Sequence, residues 1–144
     1  MELALSEARI ALGHGDVPVG AVALEKGTGE ILAARHNERE LLGDPTAHAE
    51  LLALRDAARA KGSWRLAEVH LVVSLEPCVM CVGVLVAARI GALTFGAADP
   101  KAGACGSLYN LSADPRLNHE FPVTRGLMAD ESSALLVEFF AARR

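Results

Sequence analysis

At 144 residues and 15.1 kDa the chain is the size of one domain, taken as 1–144, and a chain of this length buries roughly two thirds of its unfolded surface. Hydrophobic residues make up 51% and charged residues 22%, which excludes intrinsic disorder, and the longest apolar stretch, 78–88, falls short of the ~20 residues that span a bilayer. Fourteen Lys and Arg against eighteen Asp and Glu give a net charge of −4, and four Phe, one Tyr and one Trp are the only aromatics. Composition therefore argues against a nucleic-acid partner, which ordinarily shows as a basic excess with stacking aromatics.

Taken in chain order, residues 2–12 carry Leu3, Leu5, Ala8, Ile10 and Leu12 among charged positions and predict an amphipathic helix stopped by Gly13. Glu2 and Glu7 stand where an export signal would carry Lys or Arg, so a cytoplasmic, reducing setting is expected. Residues 20–24 and 30–35 predict a hairpin around the turn Lys26-Gly27-Thr28-Gly29. A polar loop through Asn37, Gly43, Asp44 and Pro45 follows. Leu51, Leu54 and Ala58 then predict a helix over 47–61, capped by Asp44 or Thr46 and stopped by Gly62.

Val69, Leu71, Val72 and Val73 predict a buried strand over 68–75, and Pro77 suits the first turn of a helix over 78–90. A crossover helix of that length makes a strand over 92–96 parallel to its predecessor. Residues 97–122 are irregular, with a helical turn near Leu108, and so predict a functional or a mobile surface. A short strand over 123–127 and a helix over 130–142 close the chain, with Phe139 in the core and Phe140 exposed. The order predicts an α/β fold, a mixed sheet covered by helices on both faces.

Three cysteines cannot all pair, and in a reducing compartment a Cys-x-x-Cys points to a metal or to redox work. Cys78 and Cys81 open a helix, where unpaired N–H groups stabilise thiolates. His48 supplies a third ligand suited to Zn²⁺, and three protein ligands leave one position open for water, whose pKa falls from about 9 toward about 7. Glu50 follows His48 by two positions, roughly 200° around a regular helix, so it is not a fourth ligand. With His48 at the helix edge, Glu50 stands beside the open face, where it can shuttle a proton. A redox pair requires neither Pro77 nor the distant His48-x-Glu50, which favours zinc. Cys105 is read as a small inert side chain. His14, His36, His70 and His119 are read as polar surface or loop residues without ligand spacing, His70 also as a satisfied core histidine.

The segments Asp44-Pro45-Thr46-Ala47-His48-Ala49-Glu50 and Leu75-Glu76-Pro77-Cys78-Val79-Met80-Cys81 carry the His-x-Glu…Pro-Cys-x-x-Cys signature of the zinc deaminases. Together with Phe95-Gly96-Ala97, Gly106-Ser107-Leu108, Asn118-His119, Ala129-Asp130-Glu131 and Phe139-Phe140, they make nearly the whole chain resemble the bacterial tRNA-specific adenosine deaminases of the cytidine deaminase-like superfamily. The resemblance implies a single-domain three-layer α/β/α fold with a roughly five-stranded mixed sheet. It implies a cytoplasmic homodimer holding one Zn²⁺ per subunit on His48, Cys78 and Cys81, and hydrolytic deamination of the wobble adenosine in a tRNA anticodon loop to inosine. Glu50 is then the catalytic proton shuttle between water, the purine ring and the departing amine. Asn37 and Val19 are implied to bind the base, and Asp99, Lys101 and Phe140 to face the RNA. The chain departs from the family in starting almost at the first helix, in ending at Arg143-Arg144 without a longer basic tail, and in carrying Cys105 where a small residue is common.

Simpler roles stand beside these: Asn37 and Asp99 are also ordinary turn residues. A deaminase of a free base, nucleoside or nucleotide such as guanine or cytosine would share the zinc site. A zinc-stabilised interaction module would need a closed site, and no fourth ligand has suitable spacing. An RNA substrate overrides the argument from net charge, because one flipped loop base needs only a local basic rim. Arg89, Lys101, Arg116, Arg143 and Arg144 are the candidates for it.

Overall fold

In the computed structural model, which describes residues 1–144, the chain runs α1 (Glu2–Leu12), β1 (Gly20–Glu25), β2 (Ile31–His36), α2 (Arg39–Leu42), α3 (Ala49–Lys61), β3 (Val69–Leu75), α4 (Val79–Ala87) and β4 (Ala92–Ala97). A 3-10 turn (Leu111–Ala113), β5 (Val123–Arg125) and α5 (Ala129–Ala141) follow. The strands form one sheet in the order β2-β1-β3-β4-β5. β1 is antiparallel to β2 and β3, while β3, β4 and β5 run parallel, so the sheet is mixed, as expected.

Strand alternation sorts the core into two layers. Ala21, Ala23, Leu71, Val73, Leu93 and Phe95 share one row and bury against Ala53, Leu54 and Ala57 of α3 and Val82 and Leu85 of α4. Full burial of side chains such as Leu71 or Leu85 contributes roughly 1.5–3 kcal/mol each. α1 and α5 cover the opposite face. There the α1 residues turned inward are Ala4, Leu5, Ala8 and Ala11, small enough to bring the helix onto the sheet. At Gly20 the approach is so close that a Cβ would overlap the Ala4 carbonyl.

This topology assembles one edge. Because β1 pairs antiparallel with both neighbours, its start lies beside the end of β2 (Gly20 opposite His36) and near the end of β3 (Ala21 opposite Val73). Val19, Asn37 and residues 75–78 therefore converge, outside the carboxyl end of β3, with the loop that enters α3.

Several local expectations are corrected. The loop after β2 contains α2, closed by Gly43 at φ 60°, a left-handed position. Helix α3 begins at Ala49 with His48 as its N-cap, and neither Thr46 nor Asp44 caps it. Asp44 instead accepts the Thr46 N–H at 2.8 Å in a local turn. Pro77 precedes the N-cap of α4, Cys78, and lies outside the helix, where its carbonyl accepts the Ala104 N–H at 2.9 Å. α4 ends at Ala87 because Arg89 turns left-handed at φ 58°. The turn expected near Leu108 sits at Leu111–Ala113.

The four histidines read as polar surface or loop residues are all partly buried. His14 Nδ1 lies 2.8 Å from Asp16, His36 Nδ1 lies 2.8 Å from Glu7, and the two rings approach to 5.2 Å. His70 is satisfied by Thr94 Oγ1 at 2.8 Å, and His119 Nε2 meets the Ile90 carbonyl at 2.8 Å. Phe139 is buried and Phe140 is 48% exposed, as their helical positions predict.

Candidate metal centre and base-sized cleft

His48 and Cys78 occupy equivalent places, the N-caps of α3 and α4, with extended backbones (φ −72°, ψ 147° and φ −75°, ψ 174°). An N-cap side chain ordinarily bonds to the helix's own first-turn N–H groups, and its loss costs about 1 kcal/mol. Neither His48 nor Cys78 makes that bond. Both turn toward Cys81, one turn into α4 and fully buried. His48 Nδ1 lies 3.5 Å from Cys81 Sγ and 3.8 Å from Cys78 Sγ, and the three ligand atoms lie within 4.8 Å of one another.

This donor set fits a zinc ion. With Zn–S near 2.3 Å and Zn–N near 2.05 Å, a tetrahedral ion sets its S···N edges at about 3.5–3.6 Å, close to the two separations observed. One imidazole and two sulfurs suit a borderline-soft cation and not Mg²⁺ or Ca²⁺. The Cys81 S–H and the neighbouring His48 push the Cys78 thiol down, while donation to Cys78, with burial, pushes the Cys81 thiol up.

Glu50, the second residue of α3, is 4% exposed. Because the helix begins after His48, the two side chains do not follow the 200° divergence of a regular helix, and both line one cleft. Burial raises the Glu50 carboxyl above its ordinary range, against the opposing pull of His48.

The cleft has a volume of about 160 Å³, below the ~300–1,000 Å³ of pockets that swallow a drug-sized ligand. A cleft of this size suits a small ring or the end of a larger molecule. Val17, Val19 and Asn37, joined by hydrogen bonds, line it together with Leu75, Asp99 and Ala102. The Asn37 amide is half committed: Nδ2 donates to the Val17 carbonyl and Oδ1 accepts the Arg39 N–H, both at 3.2 Å. Its turn role and its cleft position thus coexist. The same holds for Asp99, whose Oδ1 accepts the N–H groups of Lys101 and Ala102 at 3.0 and 3.2 Å.

Lys101 is exposed beside this turn, outside the cleft lining, and Phe140 lies on α5, also outside it. Of the expected basic rim, Arg116 is paired with Asp114, Arg89 donates to the Asn118 carbonyl, and Arg143 stacks on Phe139 with its guanidinium 3.5 Å from the ring centre. Arg39 lines the cleft instead.

Glu76 received no role of its own from the sequence, yet it organises the far wall. Its buried carboxylate accepts N–H groups from Asp99 at 2.9 Å and from Cys105 and Ser107 at 3.0 Å, and the Ser107 hydroxyl. Burial would raise its pKa, but those bonds outweigh it and hold the carboxyl below its ordinary range. The available signal was a carboxylate at the end of an apolar strand, next to the metal motif. Cys105 is fully buried, and burial lifts its thiol to about 12, consistent with an inert side chain.

The whole chain, residues 1–144, matches the model of the MafB19-like deaminase family. It is 43% identical over 144 residues to the tRNA-specific adenosine deaminase of Bacillus subtilis, covering 100% of this chain and 88% of that protein. A structure from a study of A-to-I editing by tRNA:A34 deaminases at the wobble position superimposes with a TM-score of 0.90 at 43% identity, covering 94% of this chain and 97% of the other. A guanine deaminase from Nitrosomonas europaea superimposes with a TM-score of 0.84 at 27% identity, over 97% and 82% of the two chains. An imidazole and two thiols gathered beside a buried carboxylate, on a fold shared with these proteins throughout its length, place the chain in the MafB19-like deaminase family.

Proposed function

We propose that residues 1–144 act as one zinc-dependent deaminase domain that converts the wobble adenosine of a tRNA anticodon loop to inosine. The observation that carries the chemistry is the pair of uncapped helix starts, His48 and Cys78, turned with Cys81 toward the cleft that buries Glu50. Likeness to tRNA-specific adenosine deaminases over the full chain supports the substrate, at 43% identity against 27% for the guanine deaminase.

His48, Cys78 and Cys81 would hold one Zn²⁺, which when bound acidifies water and offsets charge developing on the attacking oxygen. Glu50 takes a proton from the attacking water on its carboxylate and passes it to a ring nitrogen of adenine as the water oxygen bonds to the carbon that bears the exocyclic amine. It then takes the remaining proton of that oxygen and delivers it to the amine, so that the C–N bond breaks, the carbonyl forms and ammonia leaves. Asn37 keeps one amide N–H and one oxygen lone pair for the base, and Val19 packs against it. Asp99, Lys101 and Phe140 are assigned to the RNA-facing surface. The enzyme works as a cytoplasmic homodimer. No helix is long and apolar enough to cross a membrane.

The test is incubation of the zinc-loaded protein with an anticodon stem-loop carrying a wobble adenosine, read as inosine. Turnover of free guanine or cytosine with an unchanged stem-loop would instead make the protein a deaminase of small substrates.

A further inference from the structure

Asp16 is fully buried behind the cleft and lines none of it. Its Oδ1 accepts the Glu40 N–H at 2.7 Å and its Oδ2 the Leu41 N–H at 3.1 Å, with His14 Nδ1 at 2.8 Å from Oδ2. Glu40 and Leu41 belong to α2, a single four-residue turn, too short to persist without outside support. The preceding N–H, that of Arg39, ends on Asn37 Oδ1. Three successive unpaired donors at the start of α2 are thus satisfied by two side chains, Asp16 and Asn37.

The same contacts fix the Asn37 amide. The Val17 carbonyl only accepts and the Arg39 N–H only donates, so these two backbone groups determine which end of the amide is oxygen and which is nitrogen. Asn37 also donates its own N–H to the Val19 carbonyl at 2.9 Å. Val17 adjoins Asp16 and Arg39 adjoins Glu40, so a shift of α2 relative to residue 16 pulls both partners of the amide apart.

We propose that Asp16 is a positioning residue for substrate binding: by anchoring the first turn of α2 it holds the Arg39 N–H, and through it the Asn37 amide, with one donor and one acceptor turned to the substrate base. The inference rests on the reading of the cleft as a base pocket. A carboxylate suits the task because it only accepts and carries the charge that a helix start favours. An amide at position 16 would turn a donor toward one of the N–H groups it must receive.

The experiment is a double-mutant cycle of Asp16→Asn and Asn37→Ala in the zinc-loaded protein, with the wobble-adenosine stem-loop as substrate. Each single variant is expected to lose about tenfold or more in kcat/KM, and the double variant no more than the worse single. Losses that multiply would overturn the proposal and leave Asp16 a general stabiliser. The second measurement needs no substrate: the Asn37 side-chain amide resonances, assigned by ¹⁵N NMR, are expected to move toward solvent-exposed positions in Asp16→Asn. Unmoved resonances would overturn the positioning role. A wild type that leaves the stem-loop intact would instead overturn the functional reading, and the NMR result would still decide for or against Asp16. Should Asp16→Asn not fold, Asp16→Glu, which keeps the charge and shifts the oxygens by one methylene, is read by the same two measurements.

Discussion

The carboxylate of Glu76 fills the space that a side chain on Gly103 would occupy: a Cβ at Gly103 would fall onto Glu76 Cδ and Oε2, inside any van der Waals distance. The strand end that leads into the metal motif and the loop that closes the cleft are therefore fitted to each other at one point. Three backbone N–H groups and one hydroxyl converge there on a single buried charge.

From that fit, Glu76→Gln is expected to destabilise the fold by roughly 2–3 kcal/mol, because the amide presents N–H groups to donors that stay buried. Gly103→Ala is expected to act in the same direction, by displacing the carboxylate. Urea unfolding of the zinc-loaded variants checks both. A wild-type midpoint in Gly103→Ala would show that the loop yields without disturbing Glu76.

His48 and Cys78 stand at helix N-caps without capping them, so under the proposed zinc site ligation and capping compete for the same side chains. Replacing His48 by Asn is expected to abolish stoichiometric zinc while restoring an N-cap to α3, which stabilises the metal-free protein by about 1 kcal/mol. Chelation is expected to lower the wild-type Tm and to leave that of His48→Asn unchanged, since an ion that binds only the folded state stabilises it by mass action. Elemental analysis and thermal melts in EDTA read the two effects. A lower metal-free stability in His48→Asn would mean that His48 already satisfies its helix.

The metal motif was legible in the sequence because ligand chemistry restricts residue type and helix starts restrict spacing: His48, Cys78 and Cys81 meet as their pattern required. The strands were legible from β-branched and alternating runs, which burial on one or both faces imposes. Hidden from it were features set by pairs of distant residues. α2 is too short for periodicity to register and exists through Asp16, 24 positions before Glu40. The depth of Glu76 depends on three N–H groups from 23 to 31 positions downstream. The cap of α3 is hidden because Asp44 and Thr46 have capping chemistry, whereas the N-cap residue is His48, whose side chain turns to the two thiols instead.

Glu50 is buried at the start of α3, outside the cluster of His48, Cys78 and Cys81, so under the proposed mechanism its removal separates metal binding from turnover. Glu50→Ala is expected to keep one zinc per chain and to lose on the order of 10²–10⁴ in kcat, the range that a positioned proton shuttle supplies. Zinc content and inosine formation, measured on the same preparation, read the two quantities. Retained turnover would remove the proton-transfer role from this residue.

Asp16 gives the fold a defined response to acid. Burial alone would raise its pKa, but the N–H groups of Glu40 and Leu41, with His14, outweigh burial and hold the carboxyl below its ordinary value. Its unfolded value is about 3.9, so between the two values the native protein binds fewer protons at this site than the unfolded chain. The resulting stability is fully present above the unfolded value and is lost as pH falls through the folded one. The difference in unfolding free energy between wild type and Asp16→Asn is therefore expected to shrink as pH falls below about 4. Glu76, also held low, titrates in the same acid range but is common to both proteins and cancels in the difference. Urea unfolding at a series of pH values measures it, and a difference that stays constant down to pH 3 would show that the residue-16 carboxylate does not need its charge to hold α2.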